Sequence, residues 1–208
     1  GGTNVGATHS HIPEALFAAF PGLKVCAPAT PADAKGLIKT AIRDNDPVYV
    51  MENTLLYGNT GEVPDPADGD FVIPLGVADV KREGRDLTLI ATSSMVQVAL
   101  KAAEALAQSG IDAEVIDPRT TSPLDEAALV ESAKKTGRCI VIDEGHRRYG
   151  ASAELAAVVA DGAFWWLDAP VRRLAAMDVP VPFSPVLEDL TVPTPEMVVA
   201  EATELVRR

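Results

Sequence analysis

Cysteine and aromatic residues are scarce in this chain, and acidic residues outnumber basic ones. The two cysteines, Cys26 and Cys139, each lie inside an apolar run, which predicts reduced core residues rather than a disulfide or a metal pair. Lysine and arginine total 18 against 30 aspartate and glutamate residues, for a net charge of −12, and no basic run occurs. This balance excludes nucleic acid and an anionic membrane surface as partners. No apolar stretch reaches the length of a bilayer span and no secretory signal is recognisable, so we expect a cytoplasmic protein.

Apolar residues make up 47% of the 208 residues, enough for a sizeable core, and strand and helix patterns alternate along the chain. Such alternation predicts an α/β fold in which helices cover both faces of a mostly parallel sheet. Thr30 and Asp33 resemble a capping box at the start of one helix. The predicted strands are 23–27, 48–51, 72–81, 87–92, 113–116, 139–142 and 171–175, and the predicted helices are 13–20, 31–42, 95–108, 124–135, 151–160 and 195–206.

Residues 57–70 have the composition of a linker, because three glycines and two prolines fall within them. We therefore predict a first domain over 1–56 and a second over 71–208. The first domain contains a β-α-β pattern behind a loop and a short helix, about half of an ordinary α/β domain. The chain starts without methionine, inside a glycine-rich loop, so we expect it to be a piece of a longer protein.

The glycine-rich stretch from Gly1 to His11 carries two of the three histidines. Glycine lets the backbone approach a ligand closely, and histidine is readily tuned to move protons near neutral pH. The spacing fits neither a Walker loop nor a dinucleotide fingerprint, so the glycines alone predict no phosphate site. The pattern leaves two alternatives open for His9, a catalytic proton carrier or a loop or capping histidine.

Two polar stretches come directly after predicted strands, 117–121 and 143–146. Ligands in sheets of this class bind beyond the carboxyl ends of the strands, so either stretch could be a binding edge. Ordinary turn and cap chemistry explains both stretches equally well.

Successive blocks of the sequence resemble one family in order and nearly from end to end. It is the beta subunit of the thiamine-diphosphate-dependent decarboxylating component of 2-oxo acid dehydrogenase complexes, of the pyruvate, branched-chain and acetoin types. The blocks are His9–Ala15, Pro21–Val25, Asp33–Leu37, Asp44–Val48, Ile116–Thr120, Pro123–Asp125, Leu167–Pro170 and Val179–Asp189.

The resemblance implies the C-terminal part of a pyrimidine-binding domain followed by a transketolase C-terminal-like domain. It also implies an α2β2 heterotetramer whose alpha subunit supplies the site for magnesium and the diphosphate. The family's glutamate that hydrogen-bonds the aminopyrimidine ring lies upstream of residue 1. We therefore expect these residues alone neither to bind the cofactor productively nor to turn over substrate.

Several residues acquire roles through the resemblance. His9 falls on the family's active-site histidine, thought to assist proton transfer and reductive acylation of the lipoyl group. His11 stands where the family usually has glutamine, and we expect it to face solvent. The loop around Ala41, Asp44 and Asp46 matches one that binds a structural cation, often potassium; a plain helix stop is the alternative. Asp168 falls where the family offers a carboxylate to the basic peripheral subunit-binding domain of the lipoyl acyltransferase core; a turn or cap aspartate is the alternative.

The resemblance therefore predicts part of an enzyme that oxidatively decarboxylates a small 2-oxo acid, of pyruvate type, and passes the acyl group to a lipoyl arm. His146 and its loop are more similar to the acetoin-type and some bacterial pyruvate-type sequences, so an acetoin dehydrogenase subunit is one alternative. A non-catalytic assembly module of transketolase-like fold is another. A transketolase acting on sugar phosphates would need basic residues near His9, and none occurs between His9 and Lys24.

Overall fold

The computed structural model of the chain describes residues 2–207, except for the side chain of Asp68. Gly1, which begins the predicted glycine-rich loop, lies outside the described residues. The helices are α1 (Glu14–Ala18), α2 (Pro31–Arg43), α3 (Ser94–Gln108), α4 (Glu126–Thr136), α5 (Ala151–Gly162), α6 (Pro185–Asp189) and α7 (Pro195–Val206). The strands are β1 (Lys24–Cys26), β2 (Val48–Val50), β3 (Asp79–Arg82), β4 (Leu87–Ala91), β5 (Ala113–Asp117), β6 (Thr120–Ser122), β7 (Cys139–His146) and β8 (Arg172–Ala176).

The larger sheet has the strand order β3-β5-β4-β7-β8. Four strands of this sheet run parallel to one another: β5, β4, β7 and β8. The edge strand β3 pairs with β5 in the antiparallel sense. The predicted α/β fold with a mostly parallel sheet is confirmed.

Both faces of this sheet are covered, as the period-two alternation of strand side chains requires. Leu87 and Leu89 of β4 belong to a buried cluster with residues of α3 and α7. Ile90, on the opposite face of the same strand, belongs to a second cluster with residues of α4 and α5. The result is a three-layer α/β/α arrangement.

The smaller sheet joins the two halves of the chain. Its order is β2-β1-β6, with β2 parallel and β6 antiparallel to β1, and Val25 pairs with Ser122. The hydroxyl of Ser122 also donates to the carbonyl of Leu23 at 2.9 Å. Ordinary turn chemistry, one of the two alternatives for 117–121, therefore does not describe Thr120 and Thr121, because pairing with a distant strand overrides their turn composition.

Two strand predictions need correction at their ends. The predicted strand over 72–81 is shortened to β3, since Pro74 lacks a backbone N–H and Gly76 takes a φ of 79°. The predicted strand over 139–142 continues to His146, because β8 pairs with it as far as that residue. Asp143 to His146 thus lie within the end of β7 rather than beyond it.

A buried ion network holds the start of α2 to the second half of the chain. Thr30 caps α2 by accepting from the Asp33 amide at 3.1 Å, which confirms the capping interaction. The Asp33 carboxylate accepts from Lys81 of β3 and from Arg119 after β5, both at 2.8 Å. Asp79 pairs with the same two cations, at 2.7 Å each.

Both cysteines are free and buried, as predicted. Burial raises the pKa of Cys26 to about 11 and that of Cys139 to about 12, so both stay protonated thiols at neutral pH. None of the helices that the structure describes is long and apolar enough to cross a membrane.

Candidate functional site

The crevice between the carboxyl ends of β4 and β7 is the topological switch point of the larger sheet. From β4 the chain passes through α3 to β5 on one side, and later returns to β7 on the other side of β4. Helices leave in opposite directions at such a point, which opens a crevice where ligands bind in α/β sheets.

A pocket of 180 Å³ lies at this point, and we call it the His9 pocket. Sites for drug-sized ligands occupy roughly 300–1,000 Å³, so this pocket suits a ligand of few atoms. It brings together the glycine-rich loop, α1, the end of β2 and the switch point. Its lining residues are Thr3, His9, His11, Ile12, Glu14, Tyr49, Met51, Glu52, Asn53, Thr54, Thr92, Ser93, Asp143 and Glu144.

His9 and His11 both line this pocket while remaining exposed to solvent. The expectation that His11 faces solvent agrees with its exposure, but its ring shares the pocket with His9. Two imidazoles at one pocket provide ring nitrogens that can act as hydrogen-bond donors or acceptors.

Glu14 and Asp143 are both buried acids of the His9 pocket, with 2% and 3% of the residue exposed. The pKa of the Glu14 carboxyl is raised to about 8, mainly by burial and also by the nearby Asp143 and Asp117 carboxylates. Side-chain hydrogen bonds with Thr121 and Thr92 act in the opposite direction and lower this pKa. At pH 7 this carboxyl group is therefore protonated and can donate an O–H.

The other two acids of the switch point are held by hydrogen bonds. Asp143 accepts from the amides of Gly145 at 2.7 Å and Ser152 at 2.8 Å. Glu144 accepts from the side chains of Asn53, at 2.7 Å, and Ser94. Asn53 belongs to the first half of the chain and Ser94 to α3. Glu144 therefore links these two parts of the chain at the edge of the pocket.

The glycine-rich loop that carries His9 is held from the far end of the chain. Glu188 of α6, only 1% exposed, accepts from the amides of Gly2 and, at 2.9 Å, Asn4. Gly6 has a φ of 68°, and a Cβ atom there would come within 2.4 Å of the Phe183 ring. Residues 183–188 therefore fix the path of the loop that presents His9.

Replacing Glu188 with alanine in the complete protein should release this loop. The two lost hydrogen bonds to a carboxylate are worth roughly 1.5–3 kcal/mol each, so amide exchange at Gly2 and Asn4 should accelerate at least about tenfold. Hydrogen–deuterium exchange of the loop peptide measures this. The exposed neighbour Asp189, changed to alanine, serves as the control; equal exchange rates in both variants would show that Glu188 does not hold the loop.

The predicted cation loop is occupied by a side-chain ammonium. Nζ of Lys24 donates to both carboxylate oxygens of Asp44 at 2.8 Å and lies 3.1 Å from Asp46. This ammonium holds the pKa of the Asp44 carboxyl below its usual value. Ala41 lies in the last turn of α2, where carbonyl groups lack partners within the helix.

Asp168 lies at the surface, with its side chain 59% exposed. Its carboxylate is 3.0 Å from the guanidinium of Arg138, and its amide donates to the carbonyl of Gly137 at 2.8 Å. The pairing with Arg138 is compatible with a surface role, since an exposed ion pair is weak and easily exchanged.

Of the two predicted binding edges, the 143–146 edge supplies two residues to the His9 pocket, whereas 117–121 supplies none. Asp117 instead faces the ion network, 3.7 Å from Lys81, and burial raises its pKa to about 7 although Lys81 opposes the shift. Thr121 lines a larger cavity of 780 Å³ between α1 and α5, which also contains His146. Neither His9 nor His11 lines that larger cavity, so it is separate from the His9 pocket.

Comparison with known protein families assigns both halves of the chain. Residues 1–60 match the transketolase pyrimidine binding domain, and residues 76–198 match the transketolase C-terminal domain. The chain belongs to the transketolase family. Its predicted resemblance and its fold class are thereby confirmed.

Relatives in the transketolase family include beta subunits of several dehydrogenases. The chain is 50% identical to the acetoin:2,6-dichlorophenolindophenol oxidoreductase subunit beta of Bacillus subtilis (strain 168), over 98% of this chain and 59% of that protein. It is 48% identical to the mitochondrial pyruvate dehydrogenase E1 component subunit beta-1 of Arabidopsis thaliana, over 94% of this chain and 54% of that protein. It is 45% identical to the 2-oxoisovalerate dehydrogenase subunit beta of Bacillus subtilis (strain 168), over 99% and 62% respectively.

A solved structure has the same fold. It is described as "Split gene transketolase, inactive beta4 tetramer", with a TM-score of 0.77 and 30% sequence identity over 97% of this chain and 63% of that one. The chain thus spans a little over half the length of the proteins it matches.

The relatives in this family imply dependence on thiamine diphosphate. No group of three or more His, Cys, Asp or Glu side chains in the described part of the chain is arranged to hold a metal ion. The His9 pocket does offer buried oxygen atoms without partners, at Glu14 and Ser93, that suit a small polar ligand.

Sequence reasoning predicted His9 as a site residue, which stays a prediction, and did not single out Glu14, Ser93 or Glu188. Glu188 lies inside the last block of the family resemblance, yet nothing local shows that it contacts residues 184 and 186 positions away. Glu14 has the ordinary signature of a first-turn acid, and Ser93 that of a residue before a helix.

Proposed function

We propose that this chain is part of the beta subunit of a thiamine-diphosphate-dependent 2-oxo acid dehydrogenase complex. The complete enzyme oxidatively decarboxylates a small 2-oxo acid, of pyruvate type, and transfers the acyl group to a lipoyl arm. The observation that carries this proposal is the position of His9, on a fixed glycine loop at the switch-point pocket of a transketolase-family chain. The pyruvate and branched-chain dehydrogenase relatives support it.

His9 is proposed as the general acid and base of this reaction. Its exposed ring can take a proton from a bound hydroxyl group or give one to a keto oxygen, and exchange that proton with solvent. The glycine loop, fixed through Glu188 and Phe183, orients the ring. When bound in the complete protein, thiamine diphosphate supplies the electron sink for cleaving the bond beside the keto carbon.

Two alternatives have observations in their favour. Cleavage of acetoin is supported by the relative that is 50% identical and by the loop around His146. A non-catalytic assembly role is supported by the solved neighbour, whose title describes an inactive tetramer of beta chains.

The proposed partners follow from the same family. An alpha subunit completes an α2β2 heterotetramer and supplies the magnesium site, and the acidic chain suits the basic peripheral subunit-binding domain of a lipoyl acyltransferase core, with Asp168 as a contact. The complete enzyme is proposed to be cytoplasmic. The division into 1–56, 57–70 and 71–208 is kept as a proposal.

A structural cation, of potassium type, remains a proposal for Ala41, Asp44 and Asp46. Oxygen ligands suit such an ion, but it must compete with the Lys24 ammonium for both carboxylates. A cation that displaces Lys24 would gain the carbonyl groups of the last turn of α2.

The proposed function is tested on the complete protein purified from its source, with copurifying chains identified by mass. We expect an alpha partner and acylation of a lipoyl domain from pyruvate, with branched-chain oxo acids and acetoin assayed in parallel. Acylation from acetoin alone would support the first alternative. A protein that lacks an alpha partner and acylates from none of these compounds would overturn the enzymatic proposal in favour of an assembly role.

A further inference from the structure

The helix α1 begins five residues after His9 and is too short to hold its position alone. It has five residues, and no side chain caps its first turn. Isolated helices shorter than about 12 residues are marginal in water, so tertiary contacts must fix where α1 lies. The ring of Phe17 packs on that of Tyr49 with centroids 4.1 Å apart, but this contact stays within the first half of the chain. Placing α1 beside the larger sheet requires contacts with the second half.

Glu14, the first residue of α1, makes such a contact through its side chain. Its carboxyl group forms hydrogen bonds with the hydroxyl groups of Thr92, which follows β4, and of Thr121 in β6. Asp117 at the end of β5 and Asp143 of β7 lie close enough to change its pKa. A single buried side chain from the first half of the chain therefore meets the carboxyl ends of three neighbouring strands of the larger sheet and one strand of the smaller sheet.

The three buried acids of this cluster differ in their partners. Asp143 accepts from two backbone amides, as described above, and Asp117 accepts from the amide of Arg119 at 2.8 Å and lies 3.7 Å from Lys81. Glu14 has two hydroxyl groups as partners, and its Oε1 has no partner among the described residues. An ionised Glu14 would place a buried negative charge beside two other carboxyl groups, so the neutral form is the one that fits this position.

We propose that Glu14 is a positioning residue for His9, because its neutral carboxyl group attaches α1 to the ends of β4 and β6 and so fixes the C-terminal side of the loop that carries His9. The role given to His9 rests on the proposed function. Residues 183–188 hold the N-terminal side of the same loop, as described above. Release of α1 would therefore leave the ring of His9 anchored from one side only.

The attachment should weaken as pH rises, and the window follows from the two states of Glu14. In the attached state its pKa is raised to about 8, mainly by burial, whereas a released side chain in water has the ordinary value of 4.5. A raised pKa means that the attachment has its full strength below about pH 4.5 and loses it progressively until the pH reaches about 8. Opening of α1 should increase by up to about tenfold per pH unit in this window and level off above it.

Hydrogen–deuterium exchange of the complete protein with its partner chain, without cofactor, tests this attachment. The readouts are the protection factors of peptides that cover residues 3–13 and 14–20, corrected for the intrinsic pH dependence of amide exchange. The amides of His9 and Phe17 donate to backbone carbonyl groups within this stretch, at 3.3 and 3.1 Å, so their exchange reports its opening.

Between about pH 5.5 and about pH 8 we expect protection to fall at least about tenfold in wild type. In Glu14→Gln, which is neutral at every pH, protection should stay within about threefold of the wild-type value at about pH 5.5. Glu14→Gln should therefore be better protected than wild type at about pH 8. Glu14→Ala lacks the hydrogen bonds, so its protection should lie about tenfold below wild type at the acidic end. Glu196→Gln, the same change at an exposed first-turn acid of α7, is the matched control and should follow wild type.

The pH profile of turnover separates positioning from a role in folding alone. In lipoyl acylation, the ratio of kcat for Glu14→Gln to kcat for wild type should rise at least about threefold from about pH 6 to about pH 8, since only wild type loses the attachment. Taking this ratio cancels the titration of groups that both proteins share. A carboxyl group that served folding alone would give a ratio independent of pH.

Other charged and titratable groups lie around Glu14, and Glu14→Gln distinguishes them from it. Those that affect its pKa, or share its surroundings or the His9 pocket, are His9, His11, Cys26, Tyr49, Glu52, Asp117, Asp143 and Glu144, with Lys81 and Arg119 acting on Asp117. A fall in protection that persists in Glu14→Gln would assign it to one of these groups, and a constant protection in wild type would assign it to none; either result overturns the proposal.

The two assays fail independently. A constant ratio of kcat while protection falls in wild type would show that α1 does not position His9. If the complete protein acylates a lipoyl domain from none of the tested donors, the proposed function is refuted, and the exchange measurement alone decides whether Glu14 holds the loop of His9.

Discussion

Replacement of His9 by alanine in the complete enzyme is expected to lower kcat by about 10²–10⁴-fold, the range for loss of a positioned general acid or base. The chain should still fold, because the side chain is exposed and surface substitutions usually change stability by less than about 0.5 kcal/mol. The assay is acylation of a lipoyl domain with pyruvate and with 3-hydroxybutan-2-one as alternative donors. Added imidazole should restore part of the rate, since it replaces the lost proton carrier without the loop.

His11 provides the comparison that makes this result specific to His9. Its ring lines the same pocket, and the family usually has glutamine at this position, so His11→Gln should cost less than about tenfold. If His11→Gln lost as much as His9→Ala, or if His9→Ala kept its rate, proton transfer would not belong to His9. Equal thermal midpoints for both variants and wild type would exclude misfolding as the cause.

The fold was largely predictable because its information is local. A largely apolar strand such as β4, buried along its whole length, is recognisable without a partner. The alternation of such strands with amphipathic helices leaves few topologies. The element β6 was not predictable, because residues 120–122 have turn composition and become a strand only by pairing with β1, almost a hundred residues away.

A site residue was predictable only where the residue type itself indicates a chemical role. His9 stands out because histidine in a glycine-rich loop is a recognisable pattern, and its role then came from the family resemblance. Glu14 becomes unusual only after folding, when burial and two distant carboxylates change its pKa. Ser93 and Glu188 depend on backbone geometry and on contacts between opposite ends of the chain. No spacing rule reports these features.

Replacement of Asp33 by alanine should destabilise the complete protein by roughly 3 kcal/mol, the low end of the about 3–5 kcal/mol for breaking a buried ion pair. Asp33 has a 1% exposed side chain and accepts from both Lys81 and Arg119, so its loss leaves two partly buried cations undercompensated. The low end applies because Asp79 and Asp117 remain beside them. Urea unfolding of the complete protein measures the change, and Asp161→Ala, an exposed change on α5, should stay within about 0.5 kcal/mol of wild type.

The pH dependence of this contribution has a definite sign. Burial acts to raise the pKa of Asp33, but Lys81, Thr30 and Arg119 outweigh it and hold the pKa below its usual value. A lowered pKa in the folded state adds stability above the unfolded value of about 3.9, and this stability is lost as pH falls through the folded value. The difference between wild type and Asp33→Ala should therefore be full at pH 7 and shrink below about pH 4.

The double variant Asp33→Ala with Lys81→Met separates a broken ion pair from a general packing defect. Removing both partners leaves fewer uncompensated charges, so the double variant should be more stable than the sum of the single changes by about 1–3 kcal/mol. Strict additivity would mean that Lys81 does not interact with Asp33 in solution. A coupled pair would also explain why the first half of the chain stays attached to the second, since Asp33 lies in the first turn of α2 while Lys81 lies in β3 and Arg119 follows β5. The same attachment holds the loop of His9 beside the switch point. Loss of Asp33 should therefore raise the rate of amide hydrogen exchange in both halves of the chain.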